Sequence, residues 1–303
     1  MELSWLMKLR IAVVAALGGV VIGFLAWPLA APSDPLAPMR FSDISLGAAI
    51  TLVLLALLLG FVGYFLSWPY GREIGILAAP AGLAVWAVRS GTMAQLMQRN
   101  PTLAQRQALF SGLKWEPAFW LLVIAAGFAG VLIGQKIRLS PRPAKTAQER
   151  NPNSDKYSSA VISVLIALAA SVLIAQFSIR VFAQSVQMGL AIAQPAVGQI
   201  ALAVSVSFGL AAFAVKKLIG FSYIWPAIAS ALVTAFSINI YTKQEVFEHF
   251  AQSWPATFFP NAVISVLPVQ MVAFGTLGSI AGYWLAIRYN YWRKAVTEQQ
   301  GRN

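Results

Sequence analysis

The sequence predicts an all-α fold, a polytopic integral membrane bundle of eight transmembrane helices, and three observations carry that prediction. First, only 11% of the 303 residues are charged and 58% are hydrophobic, whereas a soluble domain carries about a quarter charged residues. Second, the apolar residues gather into runs of about 20, the length a helix needs to cross the hydrocarbon core of a bilayer. Third, period-two alternation is missing. Lipid cannot satisfy open backbone groups, so these runs are helices rather than barrel strands.

The first run, 11–31, follows Lys8 and Arg10 and resembles a secretory signal. Its apolar stretch is longer than the roughly 7–15 residues of a signal core, so it reads as a retained helix. The next spans are 46–67, 74–89, 117–135, 159–179, 197–215, 222–241 and 262–287. The third is short and carries Pro80 and Gly82, which suits either a tilted helix or a re-entrant segment. Residues 90–116 hold Arg99, Arg106 and Lys114 opposite Met93, Leu96, Met97, Leu103, Leu109 and Phe110. Cations on one side and apolar residues on the other predict a helix lying on the membrane surface.

Charge sets the predicted orientation. With the N-terminus inside, seven cations face outward: Arg40, Arg89, Arg99, Arg106, Lys114, Arg180 and Lys243. The other fifteen of the 22 Lys and Arg face inward, which obeys the positive-inside rule and places both termini in the cytoplasm. A re-entrant third span would turn the most basic loop outward. Trp27, Trp68, Trp115, Tyr223, Trp254 and Trp292 flank the spans, as interface anchors do. The expected location is a bacterial-type cytoplasmic membrane.

Residues 136–157, "KIRLSPRPAKTAQERNPNSDKY", have linker composition. They divide the chain into a first membrane half, 1–135, and a second, 158–303, each with four spans. Lys136, Arg138, Arg142 and Lys145 in this linker are expected to meet anionic lipid at the cytoplasmic face. Each half has a Pro-bearing third span, at Pro80 and Pro226, and a Gly-rich last span, "GFAGVLIGQKIR" and "GSIAGYWLAIR". Four spans return the chain to its starting side, so such a repeat would be parallel.

Much chemistry is excluded. The net charge of +12 sits at span ends rather than in a basic soluble domain, which argues against nucleic acid. Without cysteine there are no disulfides, thiolate metal sites or cysteine nucleophiles. The single histidine, His249, lies near Glu245 and Glu248 in an outer loop, and that patch reads as solvated rather than metal-binding. No Asp or Glu falls in the middle of a span, so the usual carboxylate of a proton-coupled carrier is missing. Protease and nucleotide-binding motifs are missing too. No cofactor, metal or catalytic residue is expected.

What remains is glutamine. Gln176, Arg180, Gln184 and Gln187 recur at helical spacing, and Gln194 and Gln199 flank Pro195 before the sixth span. Neutral amides enter lipid more cheaply than charges and hydrogen-bond between helices. These six residues are therefore either interhelical contacts or the lining of a polar vestibule, which Ser205, Ser207, Ser237, Asn239, Gln270 and Thr276 would extend inward. Gly18, Gly19 and Gly23, and Gly275, Gly278 and Gly282, form small-residue faces for close packing within the chain or onto another subunit. The leading expectation is a non-enzymatic, membrane-embedded subunit or scaffold that meets the bilayer and another membrane subunit or a second copy. The alternative is a permease or facilitator for a small neutral or anionic solute.

Overall fold

A computed structural model describes residues 4–32, 37–138, 154–183, 187, 188, 191, 192, 194–243, 245 and 262–300. Among these residues it contains eight helical stretches long and apolar enough to cross a membrane. The chain is a multi-pass membrane protein.

The first stretch begins as α1 (Trp5–Gly18), where the Ser4 hydroxyl accepts from Met7 N at 3.3 Å, and continues as a π-helical turn over Gly19–Leu25. It therefore starts and stops earlier than the 11–31 read from hydropathy. α2 (Leu46–Leu66) is capped by Ser45, which accepts from Ala48 N at 3.2 Å. The third stretch is built in pieces: α3 (Gly71–Ile74), a 3₁₀ turn (Gly75–Leu77) and α4 (Ala78–Arg89). Pro80 sits in the first turn of α4, where its missing N–H costs nothing. Gly75 packs against Tyr64 at the end of α2, and Arg89 donates to Gly23 O at 3.1 Å at the end of the first stretch. The third stretch thus runs the full depth of the bundle.

The surface segment is two helices rather than one: α5 (Met93–Arg99) and α6 (Leu103–Leu113). Asn100 and Pro101 separate them, since Pro disfavours a helical residue before it. Each has a capping box, Thr92 with Gln95 and Thr102 with Gln105. Met93, Leu96, Met97, Leu109 and Phe110 are buried, but Leu103 is 40% exposed. α7 (Glu116–Arg138) completes the first half.

In the second half, α8 (Ser154–Phe182) leads to a two-residue pairing of β1 (Gln187–Met188) with β2 (Ala191–Ile192). α9 (Val197–Leu218), α10 (Ile224–Tyr241), a 3₁₀ turn (Ala262–Ser265) and α11 (Pro268–Gln300) follow.

The packing repeats in part. In the first half α1 lies on α4 and α2 on α7; in the second, α8 lies on α10 and α9 on α11, but α8 also lies broadly on α9, a contact that α1 and α2 hardly make. Gly127, Gly130 and Gly134 on α7 have the same spacing as Gly275, Gly278 and Gly282 on α11. Gly130 abuts the Leu57 carbonyl of α2, and Gly278 abuts the Ser205 carbonyl of α9. Gly127 lies under the Ala79 methyl from the third stretch, and Gly275 under the Ser230 Cβ from the seventh. The Gly18 and Gly23 backbones are likewise filled, by Ala78 and Val85. Both glycine faces pack inside this chain. The halves meet where α4 and α7 touch α11, and where α6 and α7 touch α10.

Candidate functional site

A polar cluster lies at the end of the bundle opposite the C-terminal ends of α7 and α9, where the halves join. Gln270 is fully buried in the first turn of α11. Its side-chain oxygen accepts from Leu267 N at 3.1 Å, and its amide donates to Ala87 O at 3.1 Å and Gly91 O at 3.2 Å. The left-handed φ of +82° at Gly91 turns the chain from α4 toward α5 and presents that carbonyl. Gln194, in the loop before α9, accepts from Ala94 N at 3.2 Å and donates to Ser265 O at 3.0 Å. Two glutamines therefore clasp backbone groups of α4, α5 and the segment entering α11. An amide suits this task because it donates and accepts at once without charge.

Beside the clasp stands an aromatic column. Trp86 packs edge-on against Trp27 at 5.9 Å and against Trp120 at 6.1 Å between centroids. The Arg89 guanidinium lies 4.1 Å over the Trp27 ring. The Trp86 and Trp120 indole N–H groups are buried without a hydrogen-bond partner. Glu116, 2% exposed, accepts from Phe41 N at 2.8 Å, and Phe41 stacks on Phe119 at 4.3 Å. The segment before α2 is thereby strapped to the start of α7. The Trp120 indole sits beside the same carboxyl but out of hydrogen-bonding geometry. Arg106, 7% exposed, donates from Nε to Asn100 O at 2.8 Å, while its Nη2 is buried and unpartnered.

Of the sequence-predicted residues, Gln194 and Gln270 form this cluster and the others are scattered relative to it. Gln176 is half-buried and Arg180 exposed on α8. Gln199 donates to Phe182 O at 3.3 Å, joining α9 to the end of α8. Gln184 lies outside the described residues, and Gln187 is described only as backbone in β1. Among the inward extensions, Ser205 donates to Phe274 O at 3.5 Å, Ser237 bonds within its own helix, and Asn239 is exposed. The Ser207 and Thr276 hydroxyls are buried and unpartnered. Lys136 is exposed, Arg138 lies 3.4 Å over the Trp68 ring, and Arg142 and Lys145 lie outside the described residues.

The sequence reading undervalued Gln270 and missed the burial of Glu116 and Arg106. Gln270 carried a readable signal. A Gln three residues after a helix's flanking position, with Pro268 opening the helix, is half of a capping box. Nothing in the sequence marks Arg106 as the cation of α6 that turns inward.

Glu116 and Arg106 are the buried charged side chains among the described residues, and no group of three potential metal ligands occurs among them. Among the described residues the arrangement fastens backbone to backbone. Comparison with known protein families, curated proteins and solved structures finds no match.

Proposed function

We propose that this chain is a non-enzymatic, membrane-embedded subunit of a larger assembly. The observation that supports the reading is how its polar groups are used. Inside the bundle, Gln270 and Gln194 are spent on backbone groups, and Ser171, Ser230, Thr234 and Ser279 donate to carbonyls of their own helices. By contrast, Gln176 and Arg180 on α8 are left partly or wholly uncovered by the described residues. Polar side chains in spanning helices face protein or water rather than acyl chains, which leaves a place for a partner on α8.

A photo-crosslinking residue at position 180, in intact membranes, tests this. A discrete crosslinked protein band, lost when the label moves to the exposed, apolar position of Leu165, supports the subunit reading. Crosslinking to lipid alone sinks it.

A permease remains the second reading, favoured by the repeated packing of the two halves. Parallel repeats are an architecture of carriers, and tandem four-helix halves, 1–135 and 158–303, would supply it. Uptake of a small neutral or anionic solute into proteoliposomes, reduced by Arg180→Gln, would establish that reading instead.

A further inference from the structure

Each half is held together more tightly than it is held to the other. Gly60 and Gly130 bring α2 and α7 together, each against a carbonyl of the facing helix, and Gly278 and Gly282 do the same for α9 and α11. Where a described glycine has close neighbours, all of them belong to its own half. Close backbone approach is a main source of helix affinity in a membrane. Each half is therefore a stiff unit, and the seam is the softer joint.

The seam is fastened at one end. Among the described residues, the hydrogen bonds that cross it run from Gln270 to Ala87 O and Gly91 O and from Ala94 N to Gln194, all within the clasp. Phe110 stacks on Tyr241 across the seam at that end too, with centroids 5.6 Å apart. Cover follows the same gradient. Ala262 to Thr276 are buried without exception, whereas further along α11 Tyr283 and Trp284 are half-buried and Ala281 and Leu285 exposed. Toward the opposite end, where α7 and α9 terminate, rings meet instead. Phe128 of α7 lies edge-on to Tyr223 at 5.7 Å, and Tyr223 packs on Tyr283 of α11 at 5.4 Å. Breaking the clasp leaves dry backbone groups unpaired. Parting half-buried rings exposes mainly carbon, which lipid tails solvate nearly as well as protein does.

We propose that the glutamine clasp is a pivot about which the halves rotate as two rigid bodies, parting Phe128 from Tyr223 and opening a cleft at the end that the charge pattern assigns to the cytoplasm. Gln270 and Gln194 keep the other end shut throughout. The helix rises roughly 22 Å from Gln270 to Leu285, so a rotation of about 15°, ordinary for packed subunits, displaces that end by about 6 Å. Such a hinge serves a subunit and a permease alike.

The chain has no cysteine, so spin labels on pairs of introduced cysteines report the motion by electron paramagnetic resonance, with the full chain in lipid nanodiscs. Ile137 with Leu285 spans the seam at the opening end, and Gln98 with Ala196 spans it beside the clasp. Leu66 with Ile137, and Leu218 with Leu285, each stay within one half. All of these positions are exposed, so labels there leave the core packed. The pair Ile137 and Leu285 should show a second population about 6 Å longer than the first, and the other pairs a single one. Phe128→Leu removes a ring from the seam and should enlarge the longer population about two- to tenfold, as loss of one aromatic pair implies. A single population at Ile137 and Leu285 refutes the hinge. A second population in a pair within one half would mean fraying helices, and one at Gln98 and Ala196 would place the pivot elsewhere; either overturns the proposal. An unchanged ratio in Phe128→Leu overturns it too, since the rings would then not be what closes that end.

Discussion

Gly278 rests directly against the carbonyl of Ser205, with no room between the two backbones for a side chain. Gly130 bears the same relation to Leu57 in the first half. Lipid tails are as apolar as leucine, so helices in a membrane gain little by burying large apolar side chains against each other. Close backbone approach and its dispersion contacts decide which helices pair.

Gly278→Val should therefore force α9 and α11 apart and cost about 1–3 kcal/mol, the scale of overpacking. Gly47 has nothing near the position of an added Cβ. Gly47→Ala should be neutral or stabilise by up to about 1 kcal/mol, the helix-propensity difference. Thermal unfolding in detergent measures both. Equal stability of Gly278→Val and the parent protein would contradict the packing account.

Gln270→Leu should cost roughly 1–3 kcal/mol, because the Gly91 carbonyl and the N–H of Leu267 lose their partner in a dry setting, while Ala87 O keeps only its bond from the Ser90 hydroxyl. Gln176→Leu, on a half-covered face of α8, should stay within about 0.5 kcal/mol. The idea fails if the two variants unfold alike.

Glu116→Ala removes the acceptor for Phe41 N, whereas Glu116→Gln keeps one. Hydrogen exchange of residues 39–44 should speed up by about tenfold in the alanine variant, the equivalent of a bond worth roughly 1.4 kcal/mol. It should stay near the parent rate in the glutamine variant. Matching rates in the two variants would show that the strap is held by something else.

Orientation rests on charge. The expected topology puts fifteen of the 22 cations inside, so reporters fused after residues 145 and 300 should report cytoplasm, and one after residue 250 the outside. A cytoplasmic reading at 250 reverses the assignment. Because the chain has no cysteine, single introduced cysteines at 114 and 138 give an independent labelling check from opposite sides.

Hydropathy located all eight stretches because the bilayer imposes a length and forbids open backbone. Their ends were less legible. α1 begins near Trp5 because Ser4 caps it, and it departs from α-geometry at Gly19; hydropathy registers neither effect. The surface segment was legible in its apolar face, but Pro101 divides it, and Leu103, at the first position after the break, faces outward. For the polar residues, sequence spacing ranked Gln176 and Arg180 together with Gln194. The structure instead groups Gln194 with Gln270, 76 positions on in the numbering. Helical periodicity speaks only within one helix. Which amide meets which carbonyl across the bundle depends on how the helices cross, and a single sequence carries little of that.

The Gln270 clasp also sets a timetable. Its two carbonyl partners, Ala87 and Gly91, precede it by 183 and 179 positions. At a synthesis rate of about 5–20 residues per second, roughly ten to forty seconds pass between their appearance and its own. Phe41 waits a shorter time for Glu116, 75 positions later. Ser90 serves the Ala87 carbonyl meanwhile, but through the longer interval the Gly91 carbonyl must find its hydrogen bond in water or lipid headgroups, so it cannot sink into hydrocarbon. The third span is thus inserted early and finished late, and the eighth span locks it in place.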